Sequence, residues 1–414
     1  DGTWNDDGDA KWGEPGEDDL FGEIIIGRMC IDSPTEADNV INKHMMYQDD
    51  PVLADIEKAL MVGESLDSST WGGDSKDDVA YGSSSHGYTT VGVSSNFSVV
   101  ELYERDMNWN KYDIFDEFNN TGCNLLNHLG HSNTTYNMKM YNSDVTTSNF
   151  TNDGITRGYS IGYSQGCYNG SFDNRNTSAG SYTQDCFSEK ITNLETAEVA
   201  NVGNSRYGLY SPGTTNGASQ YFDRQFYDAI FGEDLTMIGE ANGDSKEDNA
   251  ALIANNSGLR WCCYELTVFG DPTLDIWTAQ PTDIVVSYPP SVLLGSSQIV
   301  FTTDAPFARI GLMQDSVLIG RGIADQSGYL ALDLFDPITS TSDIDVSIIC
   351  HNRNRHEATM VVISDQPYVV YSSNQINDAS GNGNGMLDYG ESVLMSIEMS
   401  NIGNVDASDV NVIL

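Results

Sequence analysis

The sequence predicts an α/β fold, a mostly parallel sheet with helices on both faces, followed by a β-sandwich and the beginning of a further β unit. Three observations predict it. Up to about residue 275, short apolar runs alternate with segments of helical spacing, the pattern of strand-helix-strand repeats. After Gln280-Pro281 the helical spacing stops and only short alternating runs remain. Within the first part, two strand-like stretches end in turn chemistry beside a reactive side chain: Gly130-His131-Ser132 and Gly166-Cys167-Tyr168-Asn169-Gly170. The expected organisation is 1–279, 280–365 and 366–414.

Composition bounds what such a chain does. Its 414 residues exceed one typical domain. Lys+Arg 19 against Asp+Glu 61 gives a formal charge of -42, a field that repels nucleic acid and anionic membranes, so neither is an expected partner. The acidity fits calcium held at clustered carboxylates, adaptation to salt, or a soluble, highly charged extracellular surface. Seven cysteines fit one catalytic thiol with up to three structural pairs, and their spacing has no zinc-type ligand pairs. No apolar run is long enough to span a membrane. The chain opens inside an acidic motif without a signal peptide, which reads as an internal piece of a longer secreted precursor, extracellular or at the cell surface.

Taken in order, Asp1 to Asp9 is a Gly-rich acidic loop in which Asn5, Asp7 and Asp9 alternate like the first ligands of a calcium loop. Leu20 to Arg28 reads as a short buried strand, and Ser33-Pro34-Thr35-Glu36 opens a helix that reaches about Tyr47. A strand over Ala59 to Val62 ends at Gly63-Glu64. The segment from Thr89 to Asn119 passes from strand to helix. Leu125 begins the strand that ends at His131, and Gly158 the one that ends at Cys167. Residues 182–189 and 197–203 read as a helix and a strand. Loop 208–217 leads into a helix over Phe222 to Phe231, and Glu265 to Leu274 closes the region.

A cysteine and a histidine delivered to the ends of neighbouring strands make a thiol acyl-transfer arrangement, with Cys167 as nucleophile and His131 as its base. His128 stands three residues earlier, and a strand turns it to the opposite face. A carboxylate at the end of an adjacent strand, Glu64, is placed to orient the imidazole.

These motifs resemble the gingipain-like cysteine peptidases, which share a caspase-like fold: a Gly-His pair after one strand and a small residue before Cys-x-Asn-Gly after the next. Ser132 replaces the family's usual glycine and Gly166 its usual alanine. The resemblance extends over roughly residues 1–275, through Ile26-Gly27-Arg28 and Glu265-Leu266-Thr267-Val268-Phe269-Gly270-Asp271-Pro272-Thr273-Leu274. It implies a secreted cysteine endopeptidase acting on protein or peptide substrates, with the N–H groups of Ser132 and Cys167 holding the oxyanion and Glu64 near the histidine. It also implies substrate contacts: Asp78 matches an aspartate of the primary specificity pocket in arginine-cleaving relatives, and Leu209 and Tyr210 lie on the loop that rims the cleft. Leu209 stands where those relatives carry tryptophan. The alternative is a catalytically inactive relative serving as a surface, structural or adhesive protein.

Runs such as Gln298-Ile299-Val300-Phe301-Thr302 and Val346-Ser347-Ile348-Ile349 describe an immunoglobulin-like sandwich over 280–365, as the family carries after its peptidase domain. A stabilising or tethering role follows, with cell-surface or matrix association. In the last unit, a loop read from Ser380 follows the calcium-loop register, with Asn382, Asn384, Asp388 and Glu391 as ligands and Asp378 substituting from outside it. Calcium is the expected structural cofactor.

Overall fold

Strand β1, Lys58–Gly63, is buried at five consecutive positions, as a strand covered on both faces must be. Its alternate side chains divide between two apolar clusters, Ala59 and Met61 joining one, Leu60 and Val62 the other. The computed structural model describes residues 4–413 apart from 174, 176–183, 365–366 and 404. The chain divides into two compact units, Asp1–Pro281 and Thr282–Leu414; the boundary expected at 365/366 lies outside the described residues.

In the first unit β1 is joined by β2 (Ser98–Tyr103), β3 (Leu125–Leu129), β4 (Ser160–Ser164), β5 (Glu198–Asn204) and β6 (Leu266–Phe269) in the order β6-β5-β4-β3-β1-β2. Every pairing is parallel except that of β6 with β5. Helix α1 (Pro34–Asp49) starts where expected, because Ser33 and Glu36 form a reciprocal capping box and Pro34 takes the first turn. It is followed by α2 (Gly72–Tyr81), α3 (Phe187–Asn193), α4 (Ala218–Gly232), α5 (Ile238–Glu247) and α6 (Ser257–Glu265). One cluster joins the sheet to Phe222, Phe226, Ile238 and Leu259 of α4 to α6; the other joins it to Phe115, Phe118, Phe187 and Ile191. No described helix is long and apolar enough to cross a membrane.

Two elements differ from expectation. The run from Leu20 to Arg28 is not a buried strand: only Arg28 bridges the sheet, at Phe269, while Ile24 and Ile26 are 74% and 69% exposed. Apolar β-formers supply propensity, but without a neighbour's hydrogen-bonding edge along their length they do not make a strand. The helix expected over 182–189 begins only at Phe187; residues 182 and 183 lie outside the described ones.

In the second unit a three-stranded and a five-stranded sheet share one core. Ile299 and Phe301 of the first sheet meet Ile310, Leu312, Val346, Ile348 and Met360 of the second. Burial alternates residue by residue along Gln298–Thr303, as period-2 side chains on a two-layer β unit require. A separate antiparallel pair, Val369–Asn377 with Leu394–Asn401, follows.

Candidate active site

Three parallel strands end side by side. Gly63 of β1 pairs with Leu129 of β3, and His128 of β3 with Ser164 of β4, so Glu64, Gly130-His131 and Gln165-Gly166-Cys167 leave the sheet together at its carboxyl edge. In open parallel sheets this edge is where ligands bind.

The turns are stitched to one another. Ser132 Oγ donates to the Cys167 carbonyl at 2.6 Å. Cys167 Sγ lies 3.7 Å from the Gly208 carbonyl. His131 Nε2 is 3.1 Å from the Leu66 carbonyl, and the Tyr210 hydroxyl reaches the same oxygen at 3.5 Å. Leu66 lies in a small hairpin, Ser65–Asp67 with Thr70–Trp71. Loop residues 208 and 210 thus touch the surroundings of both the cysteine and the histidine. Sulfur and imidazole are not hydrogen-bonded to each other; each faces a carbonyl. Facing a carbonyl, Nε2 is the ring nitrogen that donates, which in the neutral imidazole makes Nδ1 the acceptor. Among the described residues, no backbone carbonyl accepts from the main-chain N–H of Ser132 or Cys167.

Glu64 is brought to this edge, but not to the His131 ring. Its Oε2 accepts the His131 main-chain N–H at 3.1 Å, and its Oε1 lies 3.2 Å from Nε2 of His128. His128, turned inward as strand alternation predicts, is fully buried, its Nδ1 2.9 Å from Ser164 Oγ. That hydroxyl also receives Nδ2 of Asn137 and of Asn169 at 3.1 and 3.2 Å. A satisfied polar knot therefore underlies the two turns and fixes their separation.

The two departures from the family pattern explain each other. A Cβ at position 166 would stand 2.5 Å from Ser132 Cβ and 2.8 Å from its Oγ, so the serine side chain fills the space an alanine methyl would need. At Gly130 a Cβ would fall 2.4 Å from both Glu64 Cδ and His128 Nε2. Past the cysteine, Tyr168 holds a left-handed φ of 59°, costly for a bulky residue. Its N–H donates to the Arg206 carbonyl at 2.7 Å, and its ring meets Tyr207 edge-on at 4.8 Å.

Burial pushes the Cys167 thiol above its ordinary value, while a backbone hydrogen bond with Gly208 acts in the opposite sense. Behind it, Glu265 accepts the Arg206 N–H at 3.0 Å, and burial raises its carboxyl to about 8. The folded chain therefore holds a proton there that the unfolded chain releases near the ordinary value of 4.5. Stability contributed by this group is present below that value and lost as pH rises toward 8. In Glu265→Gln, urea unfolding across this window should fall less steeply with pH, by about 1.4 kcal/mol per unit.

The remaining expected residues are dispersed. Asp78, on α2, faces the Arg224 guanidinium at 3.9 Å, and Arg224 is only 1% exposed. Leu209 packs half-buried against the core, its N–H on Ser219 Oγ at 2.8 Å. Carboxylates of Asp7, Asp9 and Glu14 converge, with Lys11 3.0 Å from Glu14, while Asn5 gives its Nδ2 to the Asp9 carbonyl. In the second unit Asp388 Oδ2 takes the amides of Asn382 and Asn384, both at 2.7 Å. Glu391 accepts the Asn382 N–H at 2.7 Å and Asp378 that of Gly385 at 2.9 Å. The Leu66 and Gly208 carbonyls escaped sequence reasoning because a main-chain oxygen leaves no mark in a sequence.

The family model of peptidase family C25 matches residues 4–277. Lys-gingipain HG66 of Porphyromonas gingivalis is 24% identical over 366 residues, covering 81% of this chain and 19% of its own. The chain therefore spans about a fifth of the length of the curated relatives it matches. Among solved structures, the Arg-specific cysteine proteinase gingipain R superposes with a TM-score of 0.68 at 18% identity, over 83% of this chain and 76% of that one. The complex of pro- and mature domains of a Porphyromonas gingivalis gingipain gives 0.66 at 18%, over 83% and 78%. These two likenesses establish the caspase-like fold.

Proposed function

The chain belongs to peptidase family C25, and from that premise we propose that it is a secreted cysteine endopeptidase of protein substrates, with Cys167 as nucleophile and His131 as base. The observation that supports this most is the placing of both residues on adjacent parallel strand ends, tied by the Ser132–Cys167 bond.

In this reading His131 Nδ1 takes the thiol proton, Sγ attacks the scissile carbonyl, and the imidazolium returns the proton to the leaving amine. Water then cleaves the thioester by the same route in reverse. The Ser132 and Cys167 amides hold the oxyanion. The Leu66 carbonyl sets the ring's tautomer, and Glu64 acts on the main chain of His131. Glu64→Gln should then lower kcat by roughly tenfold to a hundredfold with little change in KM, because it loosens the base's position without touching substrate. On this reading Asp78, Leu209 and Tyr210 contact the substrate side chain, and the Arg224 guanidinium 3.9 Å from Asp78 should weaken selectivity for a basic residue.

The test is labelling by a peptidyl electrophile: Cys167 is alkylated in the wild type and spared in His131→Ala. No labelling and no peptide turnover would instead favour a scaffold that keeps the fold without the chemistry. Ser132 and Gly166 supply a second check. Gly166→Ala alone should cut turnover, and Ser132→Gly added to it should restore much of it, a coupling that independent sites do not show.

We read 280–365 as an immunoglobulin-like sandwich that tethers or stabilises the peptidase at the cell surface or matrix, supported by its two-layer core. The loops at Asn5, Asp7, Asp9 and at Asp378, Asn382, Asn384, Asp388, Glu391 are read as calcium sites. In the second, rotating the Asn382 and Asn384 amides turns their oxygens inward. Asp388→Asn should abolish calcium-induced stabilisation of this loop, read as protection from limited proteolysis.

A further inference from the structure

A third acidic constellation lies away from the strand ends, between α4 and α5. Carboxylate oxygens of Glu233, Asp244 and Asp248 all stand within 4.8 Å of one another. Glu233 follows the last turn of α4, Asp244 is on α5, and Asp248 caps α5. Such proximity is unfavourable without a counter-charge. The charged groups that act on Asp244, those of Asp248, Glu233, Glu247 and Asp228, are all acidic. The nearby Lys246 is turned to the Leu266 carbonyl at 3.0 Å.

A second observation is independent of the acids. Gln225, on α4, is 2% exposed and gives its Nε2 to Asp248 Oδ2, which sets its amide at the cluster. Its Oε1 is buried there without a hydrogen-bond partner. Asp244 Oδ2 is likewise buried and unpartnered. A buried amide oxygen and a buried carboxylate oxygen that meet no donor lack what a cation supplies.

We propose that Glu233, Asp244, Asp248 and the Gln225 amide oxygen form a calcium site that braces α4 against α5. The donors are all oxygens, the set a hard cation takes. Three carboxylates, the amide and a few waters meet the six to eight oxygens that calcium accepts at irregular geometry, whereas magnesium demands a stricter octahedron.

Thermal unfolding of the full chain, stripped by chelator and then titrated with calcium or magnesium, tests this. Asp244→Asn should unfold at a higher temperature than the wild type in chelator, because repulsion is relieved, and at a lower one in saturating calcium. A packing defect would lower it in both. Calorimetric titration should show one fewer calcium equivalent in Asp244→Asn/Asp248→Asn than in the wild type. Glu233→Gln, altered at an exposed position, should weaken that equivalent by roughly tenfold or more. Unchanged stoichiometry in the double variant, unchanged affinity in Glu233→Gln, or the same order of unfolding temperatures with and without calcium would each overturn the site.

Discussion

Replacing Cys167 by Ala should lower kcat/KM for a peptide substrate by at least about 1000-fold, and His131→Ala should come close to the same loss, the two together costing little more than either alone. Non-additivity is the informative part, because thiol and imidazole act as one unit on the proposed reading. The pH profile adds a sign. Because burial holds the Cys167 thiol above its ordinary value, the protonated form dominates at neutral pH, and the rate of alkylation should climb as pH rises into the alkaline range. A rate flat from neutral pH upward would show a thiolate already formed, and the account of Cys167 would be wrong.

The second large effect concerns stability. Lys76 on α2 and Asp223 on α4 are 0% and 1% exposed and 2.6 Å apart. Lys76 also reaches Asn127 Oδ1, while Asp223 takes the amides of Asn127 and Gln165 at 2.5 and 2.6 Å. Lys76→Met leaves a buried carboxylate without its cation and should cost about 3–5 kcal/mol in denaturant unfolding. Lys76→Met/Asp223→Leu should recover part of that loss, with the orphaned amides of Asn127 and Gln165 limiting the gain. Gln165 directly precedes Gly166-Cys167, so the same variant should also reduce turnover at temperatures where the fold persists. A loss below about 1 kcal/mol would mean that the pair is not the buried strut it resembles.

Much of the sheet was legible in the sequence, because a strand buried on both faces writes a continuous apolar run and a strand end writes glycine. Leu125 to Gly130 and Ser160 to Gly166 show both marks. The same reasoning went astray at Leu20 to Arg28, where apolar β-formers predicted a strand that lacks a partner along most of its length; pairing is a property of the neighbour. Glu64 was placed at the right edge from its position after a strand, yet which atom its oxygens would meet depends on how Gly130 turns. Lys76 and Asp223 lie 147 residues apart, and each alone reads as an ordinary surface charge.

The contact of His131 with the carbonyl of Leu66 has a consequence for how such a site tolerates change. An orienting carboxylate is erased by one nucleotide substitution, whereas a peptide oxygen is carried by all twenty residues. Position 66 should thus accept many apolar replacements with its polarising role intact, and the vulnerable change is one that bends the chain, such as Asp67→Pro. Selection here would act on the path of the backbone and leave little trace in residue identity.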